Sequence, residues 1–133
     1  MGFCDIWKRL QVAQDRFGYG FVTVYQENSL AARLLIQKFP PCHSIGFDAE
    51  CAAETDFEAL VIGFGQLGQV VLRNIIMNGQ FAGSTFRADV FAPEMEEQDG
   101  YFINSYPGIF ENYQVNLHPH DGRSRQLYQH LTA

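Results

Sequence analysis

Cysteine and basic residues are scarce in this chain of 133 residues, and each shortage excludes a class of protein. The three cysteines form no C-x-x-C pair and are odd in number, which is typical of reduced thiols and not of a disulfide scaffold. Nine Lys and Arg stand against 15 Asp and Glu, giving a formal charge of -6. Such a balance argues against a nucleic-acid partner or an anionic membrane surface. Any bound phosphate must therefore be held locally.

Long apolar runs are missing as well. No segment approaches the roughly 20 residues that a membrane helix needs, so we expect no direct membrane insertion. The first ten residues, "MGFCDIWKRL", lack the apolar segment of a signal peptide, and we therefore expect a cytoplasmic protein. The sequence contains neither repeats nor low-complexity segments. A hydrophobic content of 47% predicts a globular chain with one core.

Predicted strands alternate with predicted helices. In the first part of the chain we expect a strand at 20–25 and a helix within "ENSLAARLLIQKF", capped by Asn28 or Ser29 and stopped by Pro40-Pro41. A short apolar patch at 44–47 is a further candidate strand. From residue 58 onward the apolar patterns are stronger. They predict strands at 59–64, 86–91 and 113–119, and helices at 66–78 and near the C-terminal end.

Several local details follow from these patterns. The apolar run at 59–64 is typical of a parallel strand covered on both faces. Gly79 is expected to end the helix in left-handed geometry. Asp121 and Gly122 are placed in the first turn of the last helix. The acidic "EMEEQDG" is predicted to be an exposed connection, and the aromatic "YFINSYPGIFENY" after it to be irregular with one short helical turn.

The alternation predicts an α/β, Rossmann-like fold, with a mostly parallel sheet and helices on both faces. We expect one domain, an incomplete doubly wound one. Within it, residues 1–55 form a strand-helix segment packed on the same sheet and residues 56–133 form the Rossmann-type nucleotide-binding part. Two or three further strand-helix units would ordinarily complete such a sheet, so the chain is expected to be part of a longer protein with other domains.

The glycine-rich stretch "ALVIGFGQLGQVVL" is the main candidate for a ligand site. It has a G-x-G-x-x-G pattern that follows a predicted strand and opens a predicted helix, as a dinucleotide-binding turn requires. Gly63 permits the tight turn, Gly65 lets a pyrophosphate approach the backbone, and Gly68 lets the helix pack closely. Amide groups at the helix start can then hold a phosphate without a basic side chain. The predicted cofactor-binding residues here are Gly63, Phe64, Gly65, Gln66, Leu67 and Gly68, with NAD(H) or another adenine nucleotide as ligand.

The end of the second strand departs from this pattern. A carboxylate there normally accepts hydrogen bonds from the adenosine ribose, but the tip residue is Ala92. Asp89 comes three positions too early and is expected to face a sheet surface. Glu94 substitutes for the missing acid if the loop curls back. NAD specificity is therefore not established by the sequence.

The segment "HPHDGRSR" after the third strand is the next place where a ligand is expected. Asp121 is a candidate acceptor for an adenine amino group or a ribose hydroxyl, or else a cap for the last helix. Arg123 pairs with phosphate or with the protein's own acids. His118 and His120 form an H-x-H, but no second ligand pair with suitable spacing accompanies them, so no metal site is predicted. Positions alone define no catalytic set either.

Two segments, "ALVIGFGQLGQVVLRNIIMNGQFAGSTFRADVFAP" and "YQVNLHPHDGRSRQLY", resemble the N-terminal nucleotide-binding domain of Trk-type (RCK) potassium-conductance regulators. More specifically, they are similar to a bacterial branch in which this domain accompanies a ryanodine-receptor-like repeat. The resemblance covers about residues 56–131. It implies a regulatory domain that senses NAD(H) or another adenine nucleotide and passes a conformational change to an attached partner. The three glycines and Asp121 match the family's positions, whereas Ala92 replaces its ribose-binding acid.

Three functions are compatible with the sequence. The leading one is a nucleotide sensor without catalysis of its own. The second is a fragment of an NAD(P)-dependent oxidoreductase, with His118 or His120 as proton donor. The third is a non-binding interaction module whose glycines serve packing, with an aromatic cluster that is either core or a homodimer contact. This cluster comprises Tyr101, Phe102, Tyr106, Phe110 and Tyr113.

Overall fold

A computed structural model describes residues 26–133, so the predicted strand at 20–25 lies outside the described residues. No helix in this range is long and apolar enough to cross a membrane. The elements in chain order are α1 (Glu27–Lys38), a 3-10 turn (Pro41–Ser44), β1 (Phe57–Ile62), α2 (Gln66–Asn78), β2 (Phe86–Phe91), α3 (Met95–Ser105), α4 (Pro107–Asn112), β3 (Gln114–His118) and α5 (Arg125–Thr132).

The three strands form one parallel sheet in the order β1-β2-β3. Phe57 pairs with Phe86 and Ile62 with Phe91, so β1 and β2 run in register over their full lengths. This arrangement confirms the predicted α/β, Rossmann-like fold, and the strand order is that of one half of a doubly wound sheet. The carboxyl ends of all three strands therefore lie at the same edge of the sheet.

One face of the sheet carries the core. Alternate residues of β1 and β2 point to this face because side chains alternate along a strand. The helix α2 packs on it through Leu72 and Ile76, which are 0% and 4% exposed. The core side chains from the sheet are Phe57, Val61, Phe86, Ala88 and Val90.

The opposite face is covered only in part by the described residues. His130 of α5 lies against Phe91 of β2, with ring centroids 5.5 Å apart. On β1, however, Leu60 and Ile62 are 39% and 59% exposed. The sequence prediction that both faces of this strand are covered is therefore wrong within residues 26–133, because β1 is an edge strand and α5 lies over β2 and β3.

The first helix has the predicted end but not the predicted start. It stops at Lys38, just before Pro40, as expected for a residue pair that cannot continue a helix. Its N-cap is Gln26, without a side-chain cap, and not Asn28 or Ser29. Ser29 instead donates a hydrogen bond from its hydroxyl to Gln26 Oε1 (3.1 Å). The candidate strand at 44–47 is reduced to one bridge, between Phe47 and Ala53.

The helix α2 has the predicted bounds, but Gly79 serves a different purpose there. Its φ is -104°, so the left-handed geometry that we expected is absent at this position. A Cβ at Gly79 would lie 2.6 Å from Cε1 of Phe57 and 2.7 Å from the carbonyl oxygen of Ile75. Close packing against β1, and not backbone conformation, therefore requires glycine.

The acidic and aromatic segment after β2 is helical, which the sequence did not predict. The helix α3 contains Gly100 and Asp99, which both lower helix propensity, so the local signal favoured a loop. Tertiary packing outweighs this preference. Phe102 is fully buried, and its ring lies 5.1 Å from that of Phe64, edge to face. Tyr106, Phe110 and Tyr113 also pack against the core, whereas Tyr101 is 78% exposed.

The neighbouring residues Phe102 and Tyr101 give a direct test of this packing. We expect Phe102→Ala to lower the free energy of unfolding by about 3–5 kcal/mol, because it opens a cavity at the centre of the core. Tyr101→Ala should change it by no more than about 0.5 kcal/mol. Urea unfolding followed by circular dichroism measures both. Equal losses in the two variants would contradict the burial of Phe102 in the core.

Candidate functional site

The three glycines of the turn between β1 and α2 have separate physical reasons to be glycine. Gly63 has a φ of +100°, a conformation that L side chains rarely adopt. A Cβ at Gly68 would collide with the carbonyl oxygen of Gly63. The fold itself therefore requires glycine at these two positions.

Gly65 is different, because nothing in the fold requires it. Its φ is -68°, which any residue adopts, and a Cβ placed there would meet no described atom within 4 Å. Gly65 is also the N-cap of α2, and no side chain among residues 26–133 caps this helix start. The amide groups in the first turn of α2 therefore lie next to open space.

A cleft adjoins the turn. It is lined by Gly63, Gly65 and Gly68 and, on the other side, by Leu35 of α1 and Leu60 of β1. Its volume of about 630 Å³ lies within the range of small-molecule sites. The cleft lies at the carboxyl end of β1, where ligands bind in open parallel sheets.

The remaining residues of the turn divide between core and surface. Phe64 is 1% exposed and packs in the core, so only its backbone remains for a ligand. Its carbonyl oxygen accepts a hydrogen bond from Gln69 Nε2 (3.0 Å). Leu67 is 46% exposed and lines the cleft together with Gln66. Gln66 Oε1 accepts a hydrogen bond from Asn28 Nδ2 (3.4 Å), which connects α1 to the start of α2.

The tip of β2 offers no side chain for a ribose. Ala92 is 2% exposed and belongs to the core, and its amide donates to the carbonyl oxygen of His118 (3.2 Å). Glu94 is exposed and precedes α3 as its N-cap residue. A ribose contact from this part of the chain would therefore have to come from Glu94.

Asp121 and Arg123 pair with each other. The amide of Arg123 donates to Asp121 Oδ1 (2.7 Å) and its Nε lies 3.3 Å from the same oxygen. The hydrogen bonds from Arg123 lower the pKa of Asp121 and raise that of Arg123. The arginine side chain is 91% exposed. The sequence left two partners open for Arg123, a phosphate or an acid of the protein. In the structure it pairs with an acid of the protein, Asp121.

The loop that carries this pair lies near the glycine turn. Gly122 lies against Ile62, the last residue of β1, with no room for a methyl group unless the isoleucine side chain moves. The last helix begins at Arg125, with Ser124 as N-cap accepting from the amide of Leu127 (3.3 Å). The predictions that Asp121 lies in the first turn of this helix or caps it are therefore wrong.

A polar cluster around Asp89 was missed by the sequence interpretation. Asp89 does face a sheet surface, as expected, but that surface lies beneath α5 and leaves the residue 5% exposed. Its carboxylate is 3.0 Å from Arg87 Nε, 3.1 Å from Asn116 Nδ2, 2.8 Å from His118 Nε2 and 3.3 Å from His130 Nε2. The alternation of side chains along adjacent strands was the signal that could have revealed this cluster, since residues 87, 89, 116 and 118 share one face of the sheet.

The surroundings of Asp89 favour its charged form. Burial alone would raise the pKa of this carboxyl group, but the hydrogen bonds from His118 and Asn116, with the charges of Arg87 and His130, outweigh burial and lower the pKa. Asp89 is therefore a buried, negatively charged carboxylate that its hydrogen-bond partners hold in place between β2, β3 and α5.

Comparisons of the chain with protein-family models, with curated proteins and with solved structures found no match. Function is therefore inferred from the geometry of the glycine turn and of its neighbours.

The different roles of Gly68 and Gly65 can be separated by stability measurements without any ligand. We expect Gly68→Ala to lower the free energy of unfolding by about 1–3 kcal/mol, because α2 must move away from Gly63. Gly65→Ala should lower it by less, about 0.5–1 kcal/mol, because alanine is only a poorer N-cap than glycine and collides with no described atom. Urea unfolding of both variants tests this. A large loss in Gly65→Ala would mean that this glycine also serves the fold.

The lowered pKa of Asp89 predicts a defined response to acid. Because its pKa is lower in the folded than in the unfolded chain, its stabilising effect is complete above the unfolded value of about 4 and is lost as the pH falls through the folded value. Asp89→Asn should be less stable at neutral pH by about 1–3 kcal/mol and should lose less stability on acidification. Unfolding free energies measured from pH 7 to pH 2 test this, and parallel curves would contradict it.

Proposed function

We propose that the chain is a regulatory nucleotide-binding domain that binds NAD(H) or another adenine nucleotide at the turn of residues 63–68 and has no catalysis of its own. The observation that carries this proposal is Gly65. Its lack of a side chain serves neither the backbone conformation nor the packing of the described residues. A ligand that approaches the backbone closely is a physical reason for glycine at such a position.

The start of α2 supplies the chemistry that an anion needs. The amide groups of its first turn lack a side-chain cap among residues 26–133, and the helix dipole favours negative charge at this end by roughly 0.3–1 kcal/mol. The formal charge of the chain is -6, so a broad field does not attract an anion, and local amide groups are the suitable device. A pyrophosphate beside Gly65 fits this requirement.

The neighbouring surface supports a nucleotide in particular. The cleft next to the turn has apolar walls that include Leu35, Leu60 and Leu67, which suit a base or a nicotinamide ring. Glu94 and the pair of Asp121 and Arg123 follow the second and third strands at the same edge of the sheet. They are the proposed partners for the ribose and the adenine.

The proposed output is regulation of the kind found in potassium-conductance regulators, exerted from the cytoplasm through other domains of a longer chain. The sequence likeness described above supports this part. The protein would then respond to the ligand by a shift in conformation, which requires different affinities of the ligand for the two states.

A thermal-shift experiment tests the binding site. NAD(H), NADP(H), ATP, ADP and AMP are added separately. We expect one of them to raise the melting temperature of the protein. A ligand at 100 times its Kd stabilises the folded state by about 2.7 kcal/mol. Gly65→Val should abolish the rise because its side chain occupies the place of the phosphate, while the melting temperature without ligand falls only by the few degrees that a weaker N-cap costs.

Gly100→Val is the matched control for this experiment. A Cβ at Gly100 also meets no described atom within 4 Å, but the residue lies within α3. This variant should keep the full shift. If none of the nucleotides raises the melting temperature, the non-binding interaction module is favoured. If Gly65→Val keeps the shift, the nucleotide binds elsewhere. Hydride transfer by the liganded protein would favour the oxidoreductase.

A further inference from the structure

Three side chains that commonly bind metal ions meet on the sheet face beneath α5, away from the glycine turn. They are Asp89 of β2, His118 of β3 and His130 of α5, and one ligand atom from each lies within 4.8 Å of the other two. We propose that these three residues form a binding site for a divalent transition-metal ion, with Zn²⁺ as the first candidate. This proposal does not depend on nucleotide binding.

Each imidazole lies beside its own oxygen of the Asp89 carboxylate, at a distance close to that between neighbouring ligands of a tetrahedral ion. Bonds of about 2.0–2.2 Å to nitrogen and oxygen place neighbouring ligand atoms about 3.4 Å apart. His130 Nε2 lies 3.3 Å from Asp89 Oδ2, which matches this spacing. His118 Nε2 lies 2.8 Å from Asp89 Oδ1 and would have to move outward by about half an ångström. Both imidazoles already direct Nε2 at the carboxylate, so no ring has to turn over. Each Nε2 releases its proton to solvent when the ion binds, because only the unprotonated nitrogen is a ligand.

The neighbouring residues hold these ligands in position. Phe91 stacks on His118, with ring centroids 4.3 Å apart and an interplanar angle of 11°, and lies 5.5 Å from the ring of His130. Asn116 Nδ2 donates to Asp89 Oδ1 (3.1 Å), a hydrogen bond of the kind that orients a ligating carboxylate. Preorganisation of this type reduces the entropy cost of binding an ion.

The site also has an open side. Asp89 has a side chain only 7% exposed, but the side chains of His118 and His130 are 31% and 28% exposed. Solvent therefore reaches the two imidazoles, and a water molecule has access as the fourth ligand. Three protein ligands with one open position are characteristic of zinc sites that exchange ligands, and not of closed structural sites.

Arg87 is the competitor of the ion. Its Nε lies 3.0 Å from Asp89 Oδ2, and its side chain is 37% exposed. A bound cation would repel the guanidinium group, which has room to leave towards solvent. A hydrogen-bond network that binds no ion is the alternative explanation of the cluster. In a metal site, the removal of Arg87 should strengthen Zn²⁺ binding, because the carboxylate loses a competing cation. In a network without an ion, the removal of Arg87 takes away one ion pair and gives no gain in Zn²⁺ binding.

The test titrates the full chain, stripped of metal by a chelator, with Zn²⁺ alone. Equilibrium dialysis with elemental analysis gives stoichiometry and affinity, and the melting temperature gives a second readout. We expect one ion per chain and a raised melting temperature. His118→Gln and His130→Gln should each weaken binding by at least about tenfold. Arg87→Gln should bind Zn²⁺ more tightly than the wild type.

His120→Gln is the matched control, because His120 shares the H-x-H with His118 but lies outside the cluster of three. It should bind Zn²⁺ as the wild type does. All proteins are also compared with Cys4, Cys42 and Cys51 replaced by serine, so that thiols contribute nothing. Circular dichroism shows that each variant folds.

Three results would overturn the proposal. The first is the absence of Zn²⁺ binding at micromolar concentrations in the wild type. The second is an equal loss of affinity in His120→Gln and in the two ligand variants. The third is binding in Arg87→Gln that is no tighter than in the wild type. Gly65→Val should leave Zn²⁺ binding unchanged, so the result is independent of the nucleotide experiment.

Discussion

The approach of α2 to the turn before it is the constraint on which the rest of the structure depends. Because position 68 lacks a Cβ, the helix lies against the carbonyl oxygen of Gly63. This contact directs Leu72 and Ile76 onto the core face of the sheet. The start of the same helix lies beside open space at Gly65, where a Cβ would meet no described atom within 4 Å. The packing of the core and the candidate site thus depend on the same helix and on the turn that precedes it.

The two candidate sites occupy different surfaces of the same sheet. The glycine turn lies at the carboxyl end of β1 and relies on backbone groups, which suits an anion in a chain with an excess of negative charge. The cluster around Asp89 lies on the face beneath α5 and relies on side chains of opposite character, a buried carboxylate and two imidazoles. The two proposals therefore assign an anion and a cation to separate surfaces of one sheet.

Local signals in the sequence were sufficient for α2 and β2 and insufficient where contacts between distant residues decide the structure. The predicted bounds of α2 and β2 agree with the structure because an apolar run, a glycine turn and a proline are each recognisable from a few neighbouring residues. The helix α3 was missed because its stability comes from Phe102 packing on Phe64, a contact between distant parts of the chain. The surroundings of Asp89 escaped for the same reason, since His118 lies 29 positions away. Asp89, His118 and His130 lie far apart in the sequence and come together only in the fold. A search for ligand pairs at short spacing in the sequence could therefore not find them.

The contact between Gly122 and Ile62 has a mechanical consequence. Ile62 is the last residue before the glycine turn, and Gly122 belongs to the loop that leads into α5. No methyl group fits between them unless the side chain of Ile62 moves, and this side chain is 59% exposed. The contact therefore connects the strand end to the loop through a side chain that has room to turn. A displacement of residue 62 would press on the loop before α5 only as far as the isoleucine keeps its present conformation.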